Sequence, residues 1–280
     1  MVRLGGPILD RPADPAAWVA AVRRWGYGAV GCPVGPDADA ATIRAYAEAA
    51  AAADIVIAEV GAWSNPLSDD PATRQAALAK CKAGLALADA IGARCCVNIA
   101  GSRGSRWDGP HPANLTDETF DMIVATVREI IDAVQPTRTY YTLETMPWAY
   151  PDSAGSYLAL IRAIDRPRFA VHLDPVNLVC SPQRYFANGA LIRDCFAKLG
   201  PYIKSCHAKD IILADRLTTH LDETVPGMGA LDYSVYLREL DKLDPDTPLL
   251  LEHMREREEY ERAADHIRCV ARAVGVRLRP

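Results

Sequence analysis

Apolar and polar positions along the chain alternate between two rhythms. Short apolar runs of strand length recur at 3–7, 28–33, 54–60, 93–100, 138–144, 168–174, 202–207 and 248–252. Longer segments with the apolar spacing of an amphipathic helix separate them, at 14–25, 38–53, 71–91, 116–134, 153–164, 183–199 and 232–243, with a last one at 256–274. Helix starts are punctuated. Asp14-Pro15 and Asp70-Pro71 each set a capping carboxylate before a first-turn proline, and Asp232 precedes another periodic stretch. Gly26, Gly92, Gly200 and Gly275 stand where helices must stop.

Strand and helix alternating eight times predict parallel strands joined by crossovers, and hence an α/β fold of the (β/α)8 TIM barrel type in a single domain, 1–280. A doubly wound open sheet is the structural alternative. It would carry a glycine-rich phosphate turn after its first strand, and Leu4-Gly5-Gly6-Pro7 lacks that spacing. A chain of 280 residues, half of them apolar, is long enough to bury one large core.

Four strand runs end in a residue able to bind a metal: Glu144, Asp174, His207 and Glu252. Each gap is close to one strand–helix unit. In a barrel the C-terminal strand ends ring one mouth, so these four side chains converge although they are distant in sequence. Gathering three carboxylates in a protein interior is costly unless a cation offsets them, which predicts one bound divalent metal. The oxygen-rich donor set suits Mn2+ or Mg2+, with Co2+ or Zn2+ as alternatives. Four protein ligands leave two octahedral positions for a hydroxyl–carbonyl pair of substrate, where the metal would polarise the carbonyl and stabilise an enediolate.

Further candidates lie near the same mouth. His172, two residues before Asp174, shares its strand face and either contacts substrate or helps order the metal shell, or else is a hydrogen-bonded core histidine. Lys209 is placed either to bind an oxyanion or to form a local salt bridge. The segment after the fourth strand carries Trp107, able to stack on a sugar face, and His111, an additional acid or base. Trp63 and Trp148 follow the third and fifth strands. Three tryptophans at one rim favour a sugar or glycoside as substrate. His253 is expected to point outward, and His220 and His266 to lie on the surface.

Charge and composition exclude other classes. The formal net charge is −5, with no run of like charges and no basic stripe, which argues against nucleic acid and anionic membranes. No long uncharged apolar run is present, and the first residues lack the apolar core of a signal peptide, so a cytoplasmic location is expected. The 8 cysteines form no Cys-x-x-Cys pair and are expected to be reduced and packed.

Taken together, Leu143-Glu144, His172-Leu173-Asp174, His207-Ala208-Lys209-Asp210, Pro226-Gly227-Met228-Gly229 with Leu231-Asp232, and Leu251-Glu252 resemble the xylose isomerase-like barrels of the sugar phosphate isomerase/epimerase superfamily. The resemblance covers the whole chain. It implies the same quartet as metal ligands, with Glu144 and Glu252 moving protons on opposite substrate faces. Two departures stand out. Asn177, expected here to contact substrate, replaces the histidine that ketose 3-epimerases of that superfamily carry three residues after the aspartate. Glu144-Thr145-Met146-Pro147-Trp148 replaces their Asn-Arg pair after the first glutamate.

The implied function is a metal-dependent carbohydrate isomerase or epimerase acting by proton abstraction next to a carbonyl. The alternative is a lyase or deglycosidase that cleaves 3-oxo-glycosides, C-glycosides included, by β-elimination, or a keto-inositol dehydratase. A non-catalytic sugar-binding subunit would require a broken ligand set. Abasic-site endonucleases of the superfamily use three zinc ions and many more histidines than the 6 in this chain. A homo-oligomer or a small partner subunit is compatible with the resemblance.

Overall fold

The computed structural model describes residues 1–10 and 12–279. In chain order the elements are β1 (Val2–Gly5), α1 (Pro15–Trp25), β2 (Ala29–Val30), α2 (Ala40–Ala52), β3 (Val56–Ile57), β4 (Glu59–Gly61), α3 (Pro71–Ile91), β5 (Cys95–Asn98), α4 (Asp117–Val134), β6 (Tyr141–Glu144) and α5 (Ala154–Ile164). There follow β7 (Phe169–Leu173), α6 (Pro182–Phe186), α7 (Asn188–Leu199), β8 (Ile203–Ala208), β9 (Asp210–Leu213), β10 (Leu221–Thr224), α8 (Tyr233–Leu240), β11 (Pro248–Leu251), α9 (Arg257–Val274) and β12 (Leu278–Arg279).

The capping chemistry works as the sequence implies. Asp14, Asp70 and Asp232 accept from the backbone N–H of Ala17, Thr73 and Val235 at 2.8, 2.8 and 2.9 Å. Gly26, Gly92 and Gly275 end their helices in the left-handed region, at φ 63, 81 and 75°. Gly200 does not. Its φ is −43°, and the chain passes through one tight helical turn into β8.

The parallel strands run in the order β3-β2-β1-β11-β8-β7-β6-β5-β4. β3 and β4 are two halves of the third barrel strand. Ala58 between them donates to Val30 O at 2.8 Å and accepts from Cys95 N at 3.2 Å, which closes the ring. The architecture is therefore a (β/α)8 barrel. Its strands and helices enclose one apolar core that runs from Val2 to Val276. Among the described residues no helix is long and apolar enough to cross a membrane.

Four details differ from the expectations. The helix expected over 183–199 breaks at Ala187 into α6 and α7, where the Asn188 amide donates to Tyr185 O and Ala230 O. After β8 the chain does not loop freely but forms an antiparallel hairpin, β9–β10, with Asp210 at its start. Two cysteines, Cys180 and Cys269, are exposed rather than packed, although all 8 are free thiols. His220 and His266 are only partly exposed, and the His266 ring lies edge-on to Tyr233 at 5.6 Å.

Tyr157 of α5 ties the helix layer to the strands that carry the site. Its fully buried hydroxyl lies 2.6 Å from Leu143 O and 2.9 Å from Ala170 O as acceptors, and takes N–H groups from Leu143 at 3.1 Å and His172 at 3.3 Å. Tyr157→Phe leaves these backbone groups short of a partner in a dry interior. It should lower the unfolding free energy by about 1–3 kcal/mol. Urea unfolding checks this, and an unchanged midpoint would count against a structural role for the hydroxyl.

Candidate metal centre and active site

Four side chains meet at the C-terminal mouth of the barrel. Glu144 closes β6, Asp174 follows β7, His207 lies near the end of β8 and Glu252 follows β11. One ligand atom from each lies within 4.8 Å of every other. The strand geometry causes this, because adjacent parallel strands bring equivalent C-terminal positions side by side. His207 Nδ1 is 2.7 Å from Glu252 Oε2 and 3.2 Å from Glu144 Oε1. Lys209 Nζ reaches into the same group, 2.8 Å from Asp174 Oδ2 and 2.9 Å from Glu252 Oε2.

The donor set fits a divalent cation. Asp174 Oδ1 accepts from Val176 N at 2.9 Å, whereas Oδ2 is buried and accepts no hydrogen bond of proper geometry. Glu252 Oε2 is bare in the same sense. Both oxygens have ion-pair neighbours, but their lone pairs are not satisfied. Buried acceptors in that condition are costly unless a cation completes them. The buried acidic and histidine cluster can therefore bind a metal.

Electrostatics within the group are tightly linked. Burial pushes the Glu144 carboxyl up, but Lys209 and His207 outweigh it and hold it below the usual range. The same contest, with His207 and Lys209 prevailing, holds Glu252 well below. Asp174 goes the other way, because burial outweighs its pairing with Lys209. Burial lowers His207, yet Glu252, Glu59 and Glu144 together hold its ring pKa well above normal.

A cavity of about 440 Å³ opens above the cluster. Glu144, Glu252, Asn177 and Lys209 face it, with Trp63, Trp107 and Trp148 in its walls. The Trp148 indole N–H donates to Asp108 O at 2.8 Å, joining the loops after the fourth and fifth strands. The Asn177 amide donates to Glu144 Oε1 at 3.2 Å and to Thr145 O at 3.0 Å, so its nitrogen is spent on the site itself.

Two expected site residues lie elsewhere. His172 is wholly buried beneath the cluster, with Nε2 2.9 Å from Glu59 Oε2, and does not reach the cavity. His111 is exposed and caps a turn by accepting from Ala113 N at 3.3 Å. Its ring does not line the cavity.

Three residues were not singled out as site residues from the sequence. Glu59 lies under His207. Glu223, on β10, has its carboxylate 3.7 Å from Lys209 Nζ. His253, expected to point outward, lines the cavity and pairs with Glu223 at 3.1 Å. Its φ of 64° turns the chain sharply after Glu252. A lone glutamate inside the apolar run 54–60 was the one available signal for Glu59. Glu223 becomes visible only once the hairpin folds back.

Lys209 occupies the same carboxylate oxygens that an ion would take, and its charge repels a cation. Lys209→Met should therefore tighten Mn2+ binding, by about tenfold or more, which corresponds to about 1.4 kcal/mol. Calorimetric titration of both proteins measures this. Equal or weaker binding in the variant would show that Lys209 does not compete.

Comparison with known proteins places this geometry in context. Over 119 residues the chain is 29% identical to the 3-dehydroshikimate dehydratase of Bacillus anthracis, a match spanning 42% of this chain and 38% of that protein. The structure of D-psicose 3-epimerase from Clostridium cellulolyticum H10, solved with D-tagatose, superposes with a TM-score of 0.71 at 16% identity, covering 99% of this chain and 100% of that one. The probable 3-DHS dehydratase AsbF of Bacillus anthracis gives 0.70 at 18% identity, covering 97% and 99%. A barrel protein from Mycobacterium smegmatis, solved in complex with magnesium, gives 0.68 at 16% identity, covering 98% and 97%. At such identities the structural likeness is one of fold. A family model described as xylose isomerase-like TIM barrel matches residues 19–270, and the chain belongs to that family.

Proposed function

We propose that this protein is a divalent-metal-dependent enzyme that abstracts a proton next to the carbonyl of a small, uncharged carbohydrate, as an isomerase or epimerase. The observation that carries the reading is the convergence of Glu144, Asp174, His207 and Glu252 at the floor of a tryptophan-walled cavity. A divalent ion held there would supply electrophilic polarisation of a carbonyl, with Mn2+ or Mg2+ best suited to the oxygen-rich donors.

The chain's own groups supply the rest. Glu144 and Glu252 both face the cavity, and each carboxylate can accept a proton. Asn177 fixes Glu144 through its Oε1. The Lys209 ammonium lies between the two glutamates and can donate to a developing oxyanion. Trp63, Trp107 and Trp148 pack an apolar sugar face and displace water from it.

The cations around the cavity support an uncharged substrate. Arg106, the arginine on the cavity wall, is paired with Asp108 at 2.7 and 3.3 Å. Glu223 adds negative charge to the wall.

β-Elimination is the second reading. The local similarity to a dehydratase favours it, as does the asparagine at position 177. Its first step is the same proton abstraction. The three tryptophans leave room for a bulky leaving group, such as the aglycone of a 3-oxo-glycoside.

Metal-loaded protein in deuterium oxide should therefore exchange the proton next to the carbonyl of a neutral substrate. The panel is free ketoses, inososes and 3-oxo-glucosides, with ketose phosphates and 3-dehydroshikimate as anionic comparators. Retained carbon chains with deuterium indicate isomerisation or epimerisation, and an unsaturated product indicates elimination. Turnover with hydrogen moved internally and no deuterium entering would overturn the proton-abstraction reading. Preference for an anionic substrate would overturn the uncharged one.

In the same assay, Glu252→Gln or Glu144→Gln at saturating metal should slow exchange by about 10²–10⁴-fold. A variant that holds its metal and exchanges at the wild-type rate removes that glutamate from proton transfer.

A further inference from the structure

Beneath the quartet, a second polar cluster fills the barrel interior. Glu59, on β4, reaches across to β7 and β8, and its carboxylate is engaged on both oxygens. Oε1 is 3.2 Å from His207 Nε2. Oε2 is 2.9 Å from His172 Nε2 and accepts from Ser205 Oγ at 2.9 Å. His172 is 0% exposed, His207 2% and the Glu59 side chain 12%. The two imidazole rings meet edge to face, 4.1 Å apart at 73°.

We propose that Glu59 is a positioning residue for the metal centre: it fixes the His207 ring with Nε2 as the hydrogen-bearing nitrogen, so that Nδ1 is the nitrogen turned toward Glu144, Asp174 and Glu252. The inference rests on the metal-dependent reading of that quartet.

The argument is one of donors and acceptors. An ionised carboxylate only accepts, so each imidazole nitrogen facing Glu59 must present an N–H. His207 has two ring nitrogens, and Nδ1 is the one 2.7 Å from Glu252 Oε2 and 3.2 Å from Glu144 Oε1. With Nε2 anchored, the ring cannot turn over without giving up its contact to Glu59 Oε1. Outer carboxylates of this kind orient a ligating imidazole and raise its basicity.

His172 and Ser205 play a supporting part by holding Glu59 itself. Ser205 lies two residues before His207 on β8, so both side chains project to the same interior face. The 2.9–3.2 Å separations around Glu59 are hydrogen-bond lengths. Each joins an oxygen acceptor to a nitrogen or hydroxyl able to donate, so the cluster forms a hydrogen-bonded support around His207.

The test uses two measurements on the full chain. In Glu59→Gln the shape is kept, but an amide cannot accept from both imidazoles and Ser205. Calorimetric titration should show Mn2+ binding weakened by about 10–100-fold, with the stoichiometry unchanged. Binding within twofold of wild type would overturn the proposal. The second measurement needs no variant. Wild-type protein labelled with histidine nitrogen isotope and loaded with spin-active cadmium should show metal–nitrogen coupling to Nδ1 of His207, with Nε2 still protonated. Coupling to Nε2 would overturn the proposal even if Glu59→Gln failed to fold. Wild-type protein that binds no Mn2+ would instead overturn the metal reading, and this inference with it.

Discussion

The crowding of carboxylates inside one end of the barrel is the constraint on which the site depends. Glu144, Asp174, Glu252 and Glu59 are all largely withdrawn from water, and each buried charge costs several kcal/mol unless it is paired. Lys209 and His207 are the cations placed among them. They keep the two glutamates of the quartet ionised, but not with the geometry that would satisfy every lone pair. Asp174 Oδ2 and Glu252 Oε2 remain without hydrogen bonds. A buried acidic and histidine cluster of this kind can bind a cation.

Holding such a cluster requires rigid support, and the backbone supplies it. Tyr236 donates to His207 O at 3.0 Å and Tyr233 to Lys209 O at 2.7 Å, pinning the end of β8 from helix α8. Thr145 Oγ1 donates to Asp174 O at 2.7 Å and accepts from its N–H at 3.0 Å, locking the ends of β6 and β7 together. Asp210 accepts from the N–H groups of Ile211, Gly227, Gly229 and Leu231 at 2.8–3.1 Å. That knot ties Pro226-Gly227-Met228-Gly229 to the end of His207-Ala208-Lys209-Asp210. A Cβ on Gly229 would lie 2.4 Å from both Asp210 Oδ1 and Ile211 O, so only glycine fits beside the carboxylate.

The parts of this structure legible in the sequence are those governed by local periodicity or by one repeated topological rule. Helix caps at Asp14, Asp70 and Asp232 are local chemistry. The meeting of Glu144, Asp174, His207 and Glu252 follows from the rule that parallel barrel strands end at one mouth. Glu59 escaped because it lies inside an apolar run, and nothing nearby shows that His172, Ser205 and His207 lie across the barrel from it. The β9–β10 hairpin escaped because Leu221–Thr224 carries Asp222 and Glu223 and presents no apolar run. Its folding back is what brings Glu223 to Lys209. His172 and His111 show the converse limit. Strand parity puts His172 on the interior face correctly, but it does not give depth, and His172 lies below the cavity floor. His111 lies in the loop at the mouth, yet its ring is used to cap a turn.

Asn177 shows how a change at one position acts on two parts of the site. Related ketose epimerases are expected to carry a histidine here. A neutral imidazole has one N–H, whereas the Asn177 amide group donates both to Glu144 Oε1 and to Thr145 O. The asparagine therefore fixes the rotamer of a candidate proton acceptor and ties it to the backbone beyond β6. In exchange, the amide nitrogen is no longer free to hold substrate. Recognition then falls on the groups that still face the cavity: the carbonyl oxygen of Asn177, the glutamates, Lys209 and the tryptophan walls. The first glutamate is thereby held rigid at the floor of a cavity walled by Trp63, Trp107 and Trp148, and the departure at position 177 acts on that glutamate before it acts on any ligand.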